Sequence, residues 1–264
     1  MSSEARDSWV PVPGGSVFVR RWLTAPGDRP PIILLHDSLG SVDQWRDFPE
    51  ALARATSRQV IAYDRLGFGQ STPRAARPSV DFVTDEAASF FPSLQRALGF
   101  ARCALFGHSV GGAMALAIAA SQRAACEAVI TEAAQAFVEP RTLAGIRAAK
   151  AQFDRPEQLA RLTRWHGAKA RWVLDAWSEV WLSPEFSSWS LDPQLAEVRC
   201  PVLAIHGDRD EYGSLEFPRR IAHGVGGCAE LAILADCGHV PHRERREEVL
   251  RLASSFLERA CRPS

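Results

Sequence analysis

A serine held between two glycines, in the run "GHSVGG" (Gly107 to Gly112), is the residue most able to do covalent chemistry in this chain. The spacing Gly-x-Ser-x-Gly belongs to a tight strand-to-helix turn, in which larger residues two positions either side of the serine would strike the adjoining strand and helix. Such a turn exposes the Ser109 hydroxyl. It also aims the unpaired N–H groups and positive dipole end of the next helix at any negative charge that forms there. A serine hydroxyl is a weak nucleophile at neutral pH and needs a base that is itself held by a third group. "DCGHVPH" supplies His239 as the base, and "IHGDRDEYG" supplies Asp208 and Asp210 as candidates for the third group. A tetrahedral intermediate at Ser109 would need two N–H donors about 3 Å from its oxygen. Val110, directly after the nucleophile, offers one, and the loop "LLHDSLGS" (Leu34 to Ser41) stands where a second could come from.

Positioning these groups requires a sheet whose loops gather at one edge. Short apolar runs alternate with helical stretches, the pattern of a largely parallel sheet flanked by helices. The runs are Pro31 to His36, Gln59 to Asp64, Cys103 to His108, Glu127 to Glu132, Val202 to His206 and Ala229 to Leu234. "SVFVRRWL", after Gly14 and Gly15, reads as a hairpin strand at the sheet edge. Helices are expected over Asp47 to Thr56, Asp81 to Leu98, Val110 to Ser121 and Arg243 to Arg259. Between about Gln135 and Glu197 there is no convincing strand, but there are helix formers and Trp165, Trp172, Trp177, Trp181 and Trp189. The expected plan is one α/β core, residues 1–134 and 198–264, with an inserted helical cap over 135–197.

The 264 residues suffice for one such domain, and Lys plus Arg balance Asp plus Glu at 31 each. No single-sign run appears that would track nucleic acid or an anionic membrane, and no basic n-region precedes an apolar stretch. A soluble, cytoplasmic protein acting on a small molecule is the expectation, with oligomeric state left open. The six cysteines lack C-x-x-C spacing, which argues against a zinc site or a disulfide framework.

The chain resembles the α/β-hydrolase family over nearly its whole length. The motifs that carry the resemblance are "LLHDSLG", "DRLGFGQS" (Asp64 to Ser71), "GHSVGG", "GDRD" and Gly238-His239, with nucleophile, acid and base in the order Ser109, Asp210, His239. The resemblance implies Asp210 rather than Asp208 as the acid, and Ser38 as the second oxyanion donor beside Val110. It also admits Glu132 as an alternative acid, although a polar residue at the base of the cap is the simpler reading. One departure stands out. The family usually has His-Gly where this chain has His36-Asp37, placing a carboxylate beside a developing negative charge. The favoured account is that Asp37 organises the loop by accepting backbone N–H bonds; a solvated acid or a direct substrate contact are the others, and His36 is grouped with it as a loop or substrate residue.

An apolar pocket under the cap is expected from Phe137, Trp165, Trp177 and Trp181, with Val240 beside the base, although tryptophans at helical spacing also serve as cap core. The implied activity is that of a serine hydrolase needing no cofactor or metal, on an ester, lactone or thioester of small or medium size. Carbon–carbon hydrolysis of a ring-cleavage product is weakened because His108 and Val240 stand where such relatives typically carry Asn and Trp. Lyase, haloperoxidase-like or oxygenase chemistry on the same fold, or a ligand receptor that keeps the triad, are the further readings.

Overall fold

The computed structural model describes residues 5–23 and 29–261. Eight strands form one sheet: β1 (Ala5–Val12), β2 (Gly15–Trp22), β3 (Ile32–Leu35), β4 (Val60–Tyr63), β5 (Cys103–His108), β6 (Cys126–Glu132), β7 (Val202–Gly207) and β8 (Ala229–Leu234). Their order is β1-β2-β4-β3-β5-β6-β7-β8. β1 and β2 are antiparallel to their neighbours, and from β4 to β8 every pairing is parallel.

The apolar runs are continuous because the sheet is covered on both faces. Along β3, Ile33 and Leu35 enter one core while Ile32 and Leu34 enter the other. Helices α1 (Phe48–Thr56) and α11 (Arg246–Ala260) cover the second face through Phe48, Leu52, Val249 and Phe256. The first face is covered by α3 (Phe91–Leu98), α4 (Val110–Ser121) and α9 (Glu216–Gly224). α4 is built almost wholly of small and apolar residues because it is buried along nearly its whole length, against β5, β6 and the short α2 (Phe82–Asp85).

Two expected helices are interrupted. Residues 82–98 hold α2, a π-helical turn at Glu86–Phe90, and α3. Pro92, at the start of α3, has no N–H to continue the ladder, and Glu86 is buried where it accepts the Tyr63 hydroxyl at 2.6 Å. Near the C-terminus a short α10 (Pro241–Glu244) precedes α11, because Arg245 leaves helical geometry, with φ −132° and ψ 42°, and its guanidinium bonds the carbonyls of Ala235 and Asp236. α9 and β1 lie outside the sequence expectations. β1 carries Arg6, Asp7 and an exposed Trp9 on an edge, so it lacks the apolar signature of the inner strands.

Between β6 and β7 the chain forms α5 (Pro140–Gln152), α6 (Pro156–His166), α7 (Ala170–Trp181) and α8 (Asp192–Leu195), with one isolated bridge between Phe137 and Ser190. No helix among the described residues is long and apolar enough to cross a membrane.

Candidate active site

Strands that run parallel deliver their carboxyl ends to one edge, and the loops there gather residues distant in sequence. Five of them converge: those after β3, β5, β6, β7 and β8.

Ser109 follows β5 with φ 56° and ψ −126°, a strained conformation for a residue with a side chain. The flanking glycines are required by close approach. A Cβ on Gly107 would lie 2.2 Å from the Gly111 carbonyl oxygen, and one on Gly111 would lie 2.1 Å from that of Leu35. The Ser109 N–H is tied to the Glu132 carbonyl at 2.8 Å.

The Ser109 Oγ lies 3.0 Å from His239 Nε2, and His239 Nδ1 lies 2.9 and 2.8 Å from the two Asp210 oxygens. A carboxylate can only accept, so Nδ1 carries the proton and Nε2 presents its lone pair to the serine hydroxyl. Asp210 is fully buried, and its Oδ1 also accepts the N–H groups of Tyr212 and Gly213 at 2.7 and 3.1 Å. Burial works against its charge, yet the bond to His239 and these neighbours hold its pKa below the usual carboxylate range. Burial likewise opposes a charged His239, but the hydrogen bond to Asp210 and its charge overcome it and raise the imidazole pKa above 6.5. Asp208 is exposed, and its carboxylate accepts the Cys237 N–H at 3.3 Å. Glu132, the other acid, is turned to His242 Nδ1 at 2.7 Å and has no bond to His239. The geometry therefore brings Asp210, and neither alternative, to the base.

The loop after β3 differs from its expected organisation. His36 is buried and held neutral, its pKa pushed well down by burial and by Arg65. It accepts the Arg65 N–H on Nε2 at 3.1 Å and donates from Nδ1 to the Asp37 carbonyl at 2.8 Å. Arg65 adds a bond from its guanidinium to the same carbonyl at 2.7 Å. His166, on α6, accepts the Gly69 N–H and donates to the Leu39 carbonyl at 2.9 Å each. His36, Arg65 and His166 thus shape the loop. Among the described residues no backbone N–H donates to the Asp37 carboxylate; its Oδ2 stands 4.0 Å from His108 Nδ1 and the side chain is 30% exposed. The loop-scaffold reading of that carboxylate is corrected, because the main-chain oxygen of Asp37, not its side chain, accepts the Gly40 N–H and the His36 and Arg65 side chains. Gly40 must lack a Cβ, which would sit 2.0 Å from Asp37 Oδ1.

Among the described residues the N–H groups of Ser38 and Val110 have no protein acceptor, the turns around them being closed by Gly40 N–H to Asp37 and Gly112 N–H to Ser109. Ser38, Asp37 and Ser109 line one cleft of about 420 Å³, open to solvent. Its opposite wall comes from the segment between β6 and β7: Gln135, Thr142 and Ile146, with Trp177 of α7. Gln135 donates its amide to Ser109 Oγ at 3.1 Å. Tyr212 closes one end, its ring centroid 4.8 Å from that of His239, and its carbonyl accepts the Thr142 hydroxyl at 2.6 Å.

Of the residues expected to line a pocket, Trp177 does so here. Trp181 lies instead against Phe186 and Trp189, where its large ring fills the core of the helical segment. Phe137 packs edge-on to Phe217 beneath the Arg220 guanidinium. Trp165 and Val240 are half-buried away from the cleft wall. Gln135, Thr142, Ile146 and Tyr212 were not expected; Gln135 and Tyr212 lie in the loops just after β6 and β7, a positional signal available from the sequence.

Behind His239 lies a buried group, His108, Glu132 and His242, whose ligand-type atoms fall within 4.8 Å of one another. Ligand atoms around one tetrahedral zinc ion would lie about 3.3 Å apart. Hydrogen bonds account for the group: His108 Nε2 donates to the His239 carbonyl at 2.8 Å, and His242 holds Glu132. Burial drives the His108 pKa down to about 4, so it is neutral near pH 7.

The arrangement places a base against the serine hydroxyl in a solvent-open cleft and leaves the nearby Ser38 and Val110 N–H groups without a protein acceptor among the described residues. Known proteins bear on it in three ways. The chain is 24% identical, over 88% of both sequences, to 2-hydroxy-6-oxo-6-phenylhexa-2,4-dienoate hydrolase of Comamonas testosteroni. It superimposes on the carboxylesterase CesB (YbfK) of Bacillus subtilis with a TM-score of 0.72 at 21% identity, covering 96% of this chain and 92% of that one. The enol-lactonase of Burkholderia xenovorans LB400 gives a TM-score of 0.74 at 22% identity over 95% and 100%. Residues 30–245 match the family model of the alpha/beta hydrolase fold, and with the sheet order and strand-end loops above, the chain belongs to that family.

Proposed function

We propose that this protein is a cofactor-free serine hydrolase that cleaves a small or medium carboxylic ester, lactone or thioester through an acyl-enzyme. The observation that carries the reading is the unbroken hydrogen-bonded line from Asp210 through His239 to Ser109, ending at the floor of the cleft. In the proposed sequence, Ser109 Oγ attacks the carbonyl carbon as its proton passes to His239 Nε2. Asp210 stabilises the resulting imidazolium, and the N–H groups of Ser38 and Val110 bind the oxyanion. His239 then protonates the leaving oxygen or sulfur. Water deprotonated by His239 attacks the acyl carbon, and collapse of the second tetrahedral intermediate releases the acid and restores the serine.

Mixing the enzyme with p-nitrophenyl butyrate should give a burst or steady release of nitrophenolate, and a rapid acid quench should trap a butyryl adduct on the peptide containing Ser109. Turnover with no adduct at Ser109 under single-turnover conditions would count against the acyl-enzyme. The base must be neutral to accept the serine proton, and its pKa is raised by Asp210. The low-pH limb of kcat/KM should therefore have its midpoint above pH 6.5, activity rising with pH through it. A midpoint below 6 would contradict this assignment of the base.

Carbon–carbon hydrolysis is the second reading, favoured by the 24% identity to the Comamonas dienoate hydrolase over 88% of the chain. Product analysis separates the two: release of an alcohol or thiol supports the first, and a ketone or enol fragment cleaved from carbon the second.

A further inference from the structure

The cleft carries an unusual charge for a site related to a dienoate hydrolase. Among the described residues that line it, Asp37 is the one acid, and neither Lys nor Arg contributes to its walls. Among the described residues no Lys or Arg comes within ion-pair distance of the Asp37 carboxylate. Its nearest basic neighbour is His108 Nδ1 at 4.0 Å. That imidazole does not neutralise it, since His108 is buried and uncharged near pH 7. Arg65 spends its bond on the Asp37 main-chain oxygen, and Arg243 faces the carboxylate from an adjoining hollow with its guanidinium on the Gln44 carbonyl.

The charges around the carboxylate are of both signs, for its charge also works against the burial that lowers the pKa of Arg65 and of Arg243. After burial, the influences that raise the Tyr212 pKa are the charges of Glu211, Asp37 and Asp210, all carboxylates. Asp37 and Glu211 also add to the effect of Asp210 on His239. A substrate in the cleft meets the apolar side chains of Ile146 and Trp177 and, at Asp37, a carboxylate that among the described residues has no Lys or Arg at ion-pair distance.

We propose that the substrate carries a cationic nitrogen that pairs with Asp37 across the cleft, and that acyl compounds bearing a carboxylate at that place are rejected. The proposal deepens the serine-hydrolase reading and rests on it for the position of the scissile carbonyl at Ser109. It gives the Asp at the loop position usually held by glycine a role in choosing substrate. A charge pair in a half-open cleft changes affinity by about tenfold, the scale of one charge-assisted contact.

The test uses three p-nitrophenyl esters of equal length: pentanoate, 4-trimethylammoniobutanoate and the glutarate half-ester. Relative to the pentanoate, kcat/KM should be about tenfold higher for the ammonium ester and about tenfold lower for the half-ester. Raising NaCl from about 20 mM to about 0.5 M should shrink both differences. In Asp37→Asn the three values should draw together, while the neutral ester serves as the internal control for folding and loop shape. Binding of the three corresponding primary amides to Ser109→Ala, read by thermal shift, separates this proposal from the reading it rests on. The same charge order in binding, with turnover equal in wild type and Ser109→Ala, keeps the charge site and removes the nucleophile. Turnover that depends on Ser109 but shows no charge order, or one that Asp37→Asn leaves intact, overturns the proposal.

Discussion

Ser109→Ala should fold as the wild type does and lose turnover by about 10⁵- to 10⁶-fold in kcat, the range expected when a covalent nucleophile is removed from a preorganised site. The change deletes one oxygen. That oxygen bonds only His239 and Gln135, and the φ of 56° costs alanine no more than serine. The melting temperature should therefore move by no more than a few degrees. Residual activity above about a hundredth of wild type, with an unchanged melting temperature, would mean that water attacks directly or that another residue is the nucleophile.

Asp210→Asn should be nearly as severe, about 10⁴-fold in kcat, for a different reason. The amide nitrogen of an asparagine can donate to His239 Nδ1, which turns the imidazole into the tautomer with its proton on Nε2. The lone pair facing Ser109 then disappears, although each heavy atom stays in place. Asp208→Asn and Glu132→Gln supply the controls. Asp208 is exposed and Glu132 serves His242, so the first should remain within about twofold of wild type, and the second should act on stability more than on the tautomer of His239. A larger loss from Glu132→Gln than from Asp210→Asn in kcat would reverse the assignment of the acid.

The parts of this architecture that depend on short-range rules were readable from the residues. Cys103 to Gly107 is apolar because β5 is buried on both faces, and Gly107 and Gly111 mark places where a side chain would strike backbone. Those constraints act on neighbours in sequence, so they leave a pattern. The cleft wall obeys no such rule. Trp177 and Trp181 are four residues apart on α7, the same spacing as any pair on one helical face, yet one ring reaches the cleft and the other is sealed against Phe186. Only the crossing of α7 with its neighbours decides between them. Asp37 shows the same limit at a single residue. Its type announced an acid in the loop after β3, but the bonds from His36 and Arg65, the second 28 residues away, determine that its carbonyl is tied and its carboxylate is left between Gly40 and His108.

The chain leaves the sheet after β6 and re-enters at β7, and these two strands are direct neighbours, with Glu132 beside Ile205 in the register. Gln135, Thr142, Ile146 and Trp177 all belong to the excursion between them, whereas Ser38, Ser109, Val110, Asp210 and His239 all lie outside it. Replacing the excursion through its two adjoining junctions should therefore rebuild the wall made by Thr142, Ile146 and Trp177 while Asp37 and the bond-breaking atoms stay where they are, so one side of the cleft can vary without moving the other.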